Sequence, residues 1–265
     1  MRLCSIASGS SGNCIYIGTD NAHVIVDAGI SGKKIGTGIE HLDIKPEELD
    51  GILITHEHSD HISGLGVMAR RYGLPIYATG QTVNAIRNTK SIGKIPDQLF
   101  VPILPDRCFC IKDMQVCPVS IYHDAVDPVA YRFQSGKQSI GVLTDIGKFD
   151  NYIIESFQEL DILLLEANHD IHMLQAGGYP YYLKQRILGD YGHLSNESSG
   201  RLLDCLLNDR LKHVILGHLS KENNYAQLAY ETVRLEIDMS ESQYRACDFE
   251  LTVANRDSVS QPVQI

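Results

Sequence analysis

Residues 55 to 61 read THEHSDH, three histidines and an aspartate in seven positions, and few folds can hold such a cluster. The preceding GILIT is a short apolar run ending in Thr, which predicts a buried strand. The following ISGLGVMARRYG spaces Ile62, Leu65, Met68 and Ala69 along one helical face and stops at Gly73. The cluster therefore belongs to a tight strand-to-helix turn. His56 and His58, two apart on an extended segment, point the same way and can share one cation. Asp60 and His61, displaced along the turn, can reach a second. An exposed turn capping a helix would account for Ser59 or Asp60 but not for three histidines beside them. Imidazole and carboxylate ligation makes zinc the first expectation for two divalent metal ions, with manganese (Mn2+) or iron (Fe2+) also compatible.

The chain has 265 residues, 43% of them hydrophobic and 21% charged, ordinary values for a globular protein able to bury a sizeable core. No apolar run is long enough to span a bilayer, and MRLCSIASGSSGNC at the start lacks a signal-peptide layout. Seven cysteines at irregular spacings do not suggest a disulfide framework. The close pair CFC (108–110) is expected to be buried thiols, and a reducing, cytoplasmic setting fits best. A net charge of −10 argues against a protein that coats nucleic acid non-specifically. It leaves room for an enzyme that grips one phosphate through bound cations. Neither a membrane nor an obligate protein partner is expected.

Apolar strand patterns recur along the chain, from RLCSIA, CIYIGT and HVIVDAG to SIGVLT, DILLLEA, HVILG and YRACDFELTVA. Helical patterns such as QTVNAIRN, NYIIESFQEL, NESSGRLLDCLLN and AQLAYETVRLEI lie between several of them. The pattern predicts two sheets with helices on their outer faces, folded as one α/β domain over residues 1–256. Residues 257–265 read as a polar tail, whose closing VQI alternatively adds to a sheet edge. Three more ligand-type residues end predicted strands: His123 after CPVSIY, Asp145 after SIGVLT, and His218 after HVILG.

This sequence resembles the metallo-β-lactamase superfamily, whose signature is HxHxDH followed by a His, an Asp and a final His at strand ends. Asp27, closing HVIVDAG, matches an acidic position that supports the metal shell without ligating. The resemblance implies an αββα sandwich of two mixed sheets flanked by helices. It also implies one metal on His56, His58 and His123, a second on Asp60, His61 and His218, and Asp145 bridging both. Within the superfamily the chain is most similar to the YycJ/WalJ-type group of 5′-to-3′ DNA exonucleases. The shared strings include IASGSSGNC (6–14), HDAVDP (123–128), LEANHD (165–170), GHLSN (192–196) and LGHLSKENN (216–224). DNA is thus favoured over RNA as substrate. An RNA-processing nuclease, or a thioester or lactone hydrolase on the same dinuclear site, is the alternative.

Such a centre suits hydroxide attack on a phosphoryl group, with the hydroxide bridging the metals and steered by Asp60 and Asp145. Ser10, Ser11, Gly12 and Asn13 in SGSSGN can aim backbone N–H groups at an anion, although those letters alone favour a plain turn between RLCSIA and CIYIGT, and it is the resemblance that points to the anion. Ser195 or Asn196 can cap the following helix and place its phosphate-attracting end beside His193. His193 can then protonate the leaving oxygen. His169 is expected to face the cleft and support the metals or the substrate. Lys184, with Arg186 and Lys221 as further candidates, can hold substrate phosphates.

Overall fold

Uninterrupted runs of Val, Ile and Leu demand strands covered on both faces, and each such strand here is buried between two layers. The computed structural model describes residues 1–265. The strands are β1 (Arg2–Ala7), β2 (Cys14–Gly18), β3 (His23–Val26), β4 (Gly51–Leu53), β5 (Ile76–Thr79) and β6 (Phe100–Ile103), then β7 (Phe109–Ile111), β8 (Met114–Ser120), β9 (Val129–Ser135), β10 (Gln138–Leu143), β11 (Ile162–Glu166), β12 (His213–Gly217), β13 (Glu250–Val253) and β14 (Val263–Gln264). They form two seven-stranded mixed sheets, ordered β14-β1-β2-β3-β4-β5-β6 and β13-β12-β11-β10-β9-β8-β7. Strands β3 to β6 run parallel, as do β10 to β13.

The helices are α1 (Gly32–Glu40), α2 (Ser59–Ile62), α3 (Leu65–Tyr72), α4 (Gly80–Asn88), α5 (Asn151–Ser156), α6 (Ile171–Ala176), α7 (Tyr181–Leu188), α8 (Asn196–Leu206) and α9 (Ala226–Met239). Alternation along each strand builds a separate core on either side of it. From β11, Ile162 and Leu164 meet Val24, Val26, Tyr131 and Phe133 between the sheets. Leu163 and Leu165 instead meet Leu202 and Val233 of the outer helices. Ile25 of β3 faces outward onto Ile35, Ile39 and Met68. Each fully buried aliphatic side chain contributes about 1.5–3 kcal/mol, and the three cores together join the two sheets and their outer helices into an αββα sandwich. No helix is long and apolar enough to cross a membrane.

Three local expectations change. Helix α1 was not expected, because Gly32, Gly36 and Gly38 weaken helix propensity. Ser31 caps it, accepting from Lys34 N, and burial of Ile35 and Ile39 supplies the compensation. The cysteines of CFC are exposed rather than buried, since β7 is a sheet edge, and Cys108 forms a disulfide with Cys117 across the β7–β8 pair. Near the C-terminus, Val263 and Gln264 pair antiparallel with β1, the edge position that VQI allowed.

Candidate metal centre

Strands β3, β4, β8, β10, β11 and β12 deliver polar residues to one end of the sandwich. Asp27, His56, His123, Asp145 and His218 follow five of these strands, and Glu166 closes β11. The carboxyl end of parallel strands is where open sheets place their chemistry. Asp27, Asp145 and His218 have left-handed backbones, with φ of 62°, 58° and 54°. This conformation costs a non-glycine residue about 1–3 kcal/mol and is held by the surrounding structure. Asp27 N donates to Leu53 O, and His218 N donates to Ser8 Oγ, both at 2.8 Å. The 27–30 loop then packs against the histidine turn so closely that a Cβ on Gly29 would lie 1.6 Å from Asp60 O. Only glycine fits there.

The outer nitrogens of four histidines are committed to oxygen. His61 Nδ1 bonds Asp27 Oδ2 at 2.7 Å, and His218 Nδ1 bonds Glu166 Oε1 at 2.8 Å. His123 Nδ1 bonds Gly192 O at 3.1 Å, and His56 Nδ1 bonds Thr55 Oγ1 at 3.0 Å. Carboxylate and carbonyl oxygens accept only. Thr55 already donates its hydroxyl proton to Asp27 Oδ2. Each Nδ1 therefore carries the proton, and in the neutral ring each Nε2 is a bare lone pair, the arrangement that outer partners impose on metal-binding histidines.

Those lone pairs converge. Asp145 Oδ2 lies 3.4 Å from His61 Nε2, and its Oδ1 lies 3.5 Å from His218 Nε2 and 3.8 Å from His123 Nε2. Asp60 Oδ2 is 3.5 Å from His61 Nε2 and 3.6 Å from His218 Nε2. Four overlapping groups of metal-compatible atoms result, His56–His58–His123, Asp60–His61–His218, His56–His61–Asp145 and Asp145–Glu166–His193–His218. His56 Nε2, His218 Nε2 and Asp145 Oδ2 are buried and without a hydrogen-bond partner. Leaving such an atom unmatched costs about 1–3 kcal/mol, and divalent cations between the groups would satisfy all three. The donor set fits them.

The field at the centre favours positive charge. Burial opposes a proton on His61, but Asp145, Asp27 and Asp60 outweigh it and raise its pKa well above the ordinary value. At His218 the same contest, won by Asp145, Asp60 and Glu166, lifts the pKa to about 10. Burial likewise opposes ionisation of Asp145, yet His218 and His61 hold it well below the carboxylate range. His56, fully buried and facing other histidines, is pushed down.

Glu166 was not anticipated as a site residue. It is fully buried, and one oxygen accepts from both His218 Nδ1 and His193 Nδ1 at 2.8 Å. The other accepts from Ile146 N and Leu194 N at 3.0 and 3.3 Å. Glu166→Gln keeps the shape but turns an amide N–H toward two donors. It is expected to lower turnover and metal affinity about 10- to 100-fold, the usual cost of losing an outer partner. Burial raises the Glu166 pKa, but His193 and His218 more than offset this and bring it to about 2, against an ordinary 4.5. A depressed acid pKa contributes stability above pH 4.5 that is lost as pH falls toward 2. Urea titrations across that window should show a shallower acid limb in the variant.

The remaining expected residues divide. His193, 19% exposed at its side chain, stands at the mouth with its ring 5.1 Å from that of His123 and 5.3 Å from that of His218. Ser10 lines a cleft of about 170 Å³ beside it, with Asp124, Asn168, Tyr179, Arg186 and Ser220. Ser11 is exposed on the same turn, where Gly12 packs against Gly29 and Ile30. Asn13 is buried and braces the histidine turn instead, its N donating to Asp60 O at 2.8 Å and its Nδ2 lying 3.2 Å from His61 Nε2. Ser195 does cap α8, accepting from Ser198 N, but is buried, and Asn196 exchanges amide bonds with Asn224. Neither lines the cleft. Lys184 turns away to Gln175 O, whereas Arg186 faces the cleft and pairs with Asp124. His169 is 1% exposed, contacts Asn168 Oδ1 and bridges to Ser195 through the backbone.

The sandwich and its ring of inward histidines and carboxylates define a metal-dependent hydrolase. Residues 23–218 match the beta-lactamase superfamily domain. The chain is 44% identical over 228 residues to Exodeoxyribonuclease WalJ of Streptococcus pneumoniae, covering 86% of this chain and 85% of that protein. It is 40% identical over 234 residues to Exodeoxyribonuclease YycJ of Bacillus anthracis, covering 88% of each. This chain belongs to the beta-lactamase superfamily, in its YycJ/WalJ-type group. Among solved structures, Zn(2+)-bound PqqB of Methylobacterium extorquens superposes over 100% of both chains with a TM-score of 0.71 at 14% identity. The human short-form tRNase Z does so with a TM-score of 0.65 at 16%. These two share the fold.

Proposed function

We propose that this protein is a metal-dependent 5′-to-3′ DNA exonuclease acting in the cytoplasm. Identity of 40–44% to two exodeoxyribonucleases over more than four-fifths of each chain carries the substrate reading. One cation would rest on His56, His58 and His123, and a second on Asp60, His61 and His218. Asp145 would lie between them. Zinc is the metal that this nitrogen-rich set favours, and manganese or iron is compatible with it. Bound there, such a pair supplies water ionised near neutral pH and electrophilic contacts to the scissile phosphate.

The chain's own groups supply the rest. Asp60, whose side chain is partly exposed, orients the attacking water and accepts its hydrogen bond. Asp27, Thr55, Glu166 and Gly192 fix the histidine rings. His193 offers Nε2 to the leaving oxygen while Glu166 holds Nδ1. Arg186 and the Ser10 turn line the approach of the strand.

A 5′-phosphorylated, 3′-labelled DNA strand with Mn²⁺ or Zn²⁺ tests the reading, beside an RNA copy and a thioester. Stepwise shortening of DNA from the 5′ end, absent in Asp60→Ala, is expected. Intact DNA beside cleaved RNA or thioester would overturn the substrate while keeping the centre.

A further inference from the structure

A net charge of −10 gives this chain little overall attraction for a DNA strand. The three loops carrying His123, Asp145 and His193 also carry Tyr122, Lys148 and Tyr191. The loops are joined backbone to backbone: Asp124 N donates to Tyr191 O at 3.0 Å, and Gly147 N donates to Tyr122 O at 2.8 Å. The Tyr122 and Tyr191 rings meet edge to face, their centroids 6.2 Å apart. Lys148 Nζ lies 4.8 Å from the first centroid and 5.9 Å from the second. Tyr191 is nevertheless 57% exposed, although two backbone-linked loops brace the segment that carries it.

The charges nearby are already committed. Lys148 pairs with Asp190 at 2.7 Å, Tyr122 OH donates to Asp150 at 2.7 Å, and Arg186 pairs with Asp124. Such a surface offers little net attraction to phosphates but leaves more than half of Tyr191 exposed. Base–aromatic stacking is indifferent to sequence and needs no net positive charge. We propose that Tyr191, backed by Tyr122 and Lys148, is the platform on which an unpaired nucleobase next to the scissile phosphodiester stacks. The inference rests on the DNA-exonuclease reading and adds to it the group that positions the strand.

The test measures kcat/KM of the Mn²⁺-loaded enzyme on 5′-phosphorylated single strands, each carrying one abasic position near the 5′ end. Removing the stacked base is expected to cost the wild type roughly tenfold at one position. Tyr191→Ala should lose a similar factor on intact DNA and nothing further on that abasic strand, whereas Tyr191→Phe, which keeps the ring, should behave as wild type. Equal losses by Tyr191→Ala on intact and abasic strands would overturn the platform. So would a wild type indifferent to every abasic position while still shortening DNA. A wild type that leaves DNA intact would instead overturn the exonuclease reading, and the platform with it.

Discussion

Asp145→Ala is expected to lower kcat/KM on DNA by more than about 100-fold and to deplete the centre of metal. Losing an outer partner of a metal site costs about 10- to 100-fold, and the proposed role of Asp145 places it inside that layer. Its two oxygens lie within 4 Å of His61, His123 and His218 Nε2 atoms, which come from three different loops. Removing it leaves those nitrogens facing one another, with Asp60 the remaining carboxylate within 4 Å of the His61 and His218 Nε2 atoms. The metal content of dialysed protein checks this without an activity assay. Thermal unfolding gives a second check. A ligand at 100 times its Kd stabilises the folded state by about 2.7 kcal/mol, so adding Mn²⁺ or Zn²⁺ should raise Tm in wild type and leave the variant nearly unmoved. Two equivalents of metal retained by Asp145→Ala would refute the bridging role.

Much of this centre was legible because its residues are local or terminal. THEHSDH declares itself within seven letters, and His123, Asp145 and His218 each follow an apolar run that can only be a strand. Glu166 hid for the opposite reason. It closes DILLLE, where a charged letter reads as the strand emerging into water, and its burial depends on two histidines 27 and 52 positions away. Asn13 and Asn196 sit in short polar strings that look open to a ligand, but the fold buries both and spends their amides on other loops. Lys184 and Arg186 lie on α7, which has no buried residue, so no apolar stripe tells which side faces the cleft. The Cys108–Cys117 disulfide needs the register of a hairpin, which spacing alone does not specify.

His193→Ala should cost about 10²- to 10⁴-fold on DNA, the range for a lost general acid, and far less on a substrate whose leaving group needs no proton. Of the histidines around the centre with Nδ1 committed to oxygen, His193 is the one at the mouth rather than among the buried rings. Glu166 holds its Nδ1, so the Nε2 is the nitrogen available for proton transfer. An alkoxide leaving from DNA is strongly basic and gains from that proton, whereas 4-nitrophenolate does not. The 4-nitrophenyl ester of thymidine 5′-phosphate therefore separates proton donation from placement. If His193 supplies the proton, the variant should stay within about tenfold of wild type on the ester while collapsing on DNA. Equal losses on both substrates would mean that His193 only shapes the centre, through the Glu166 carboxylate that it shares with His218.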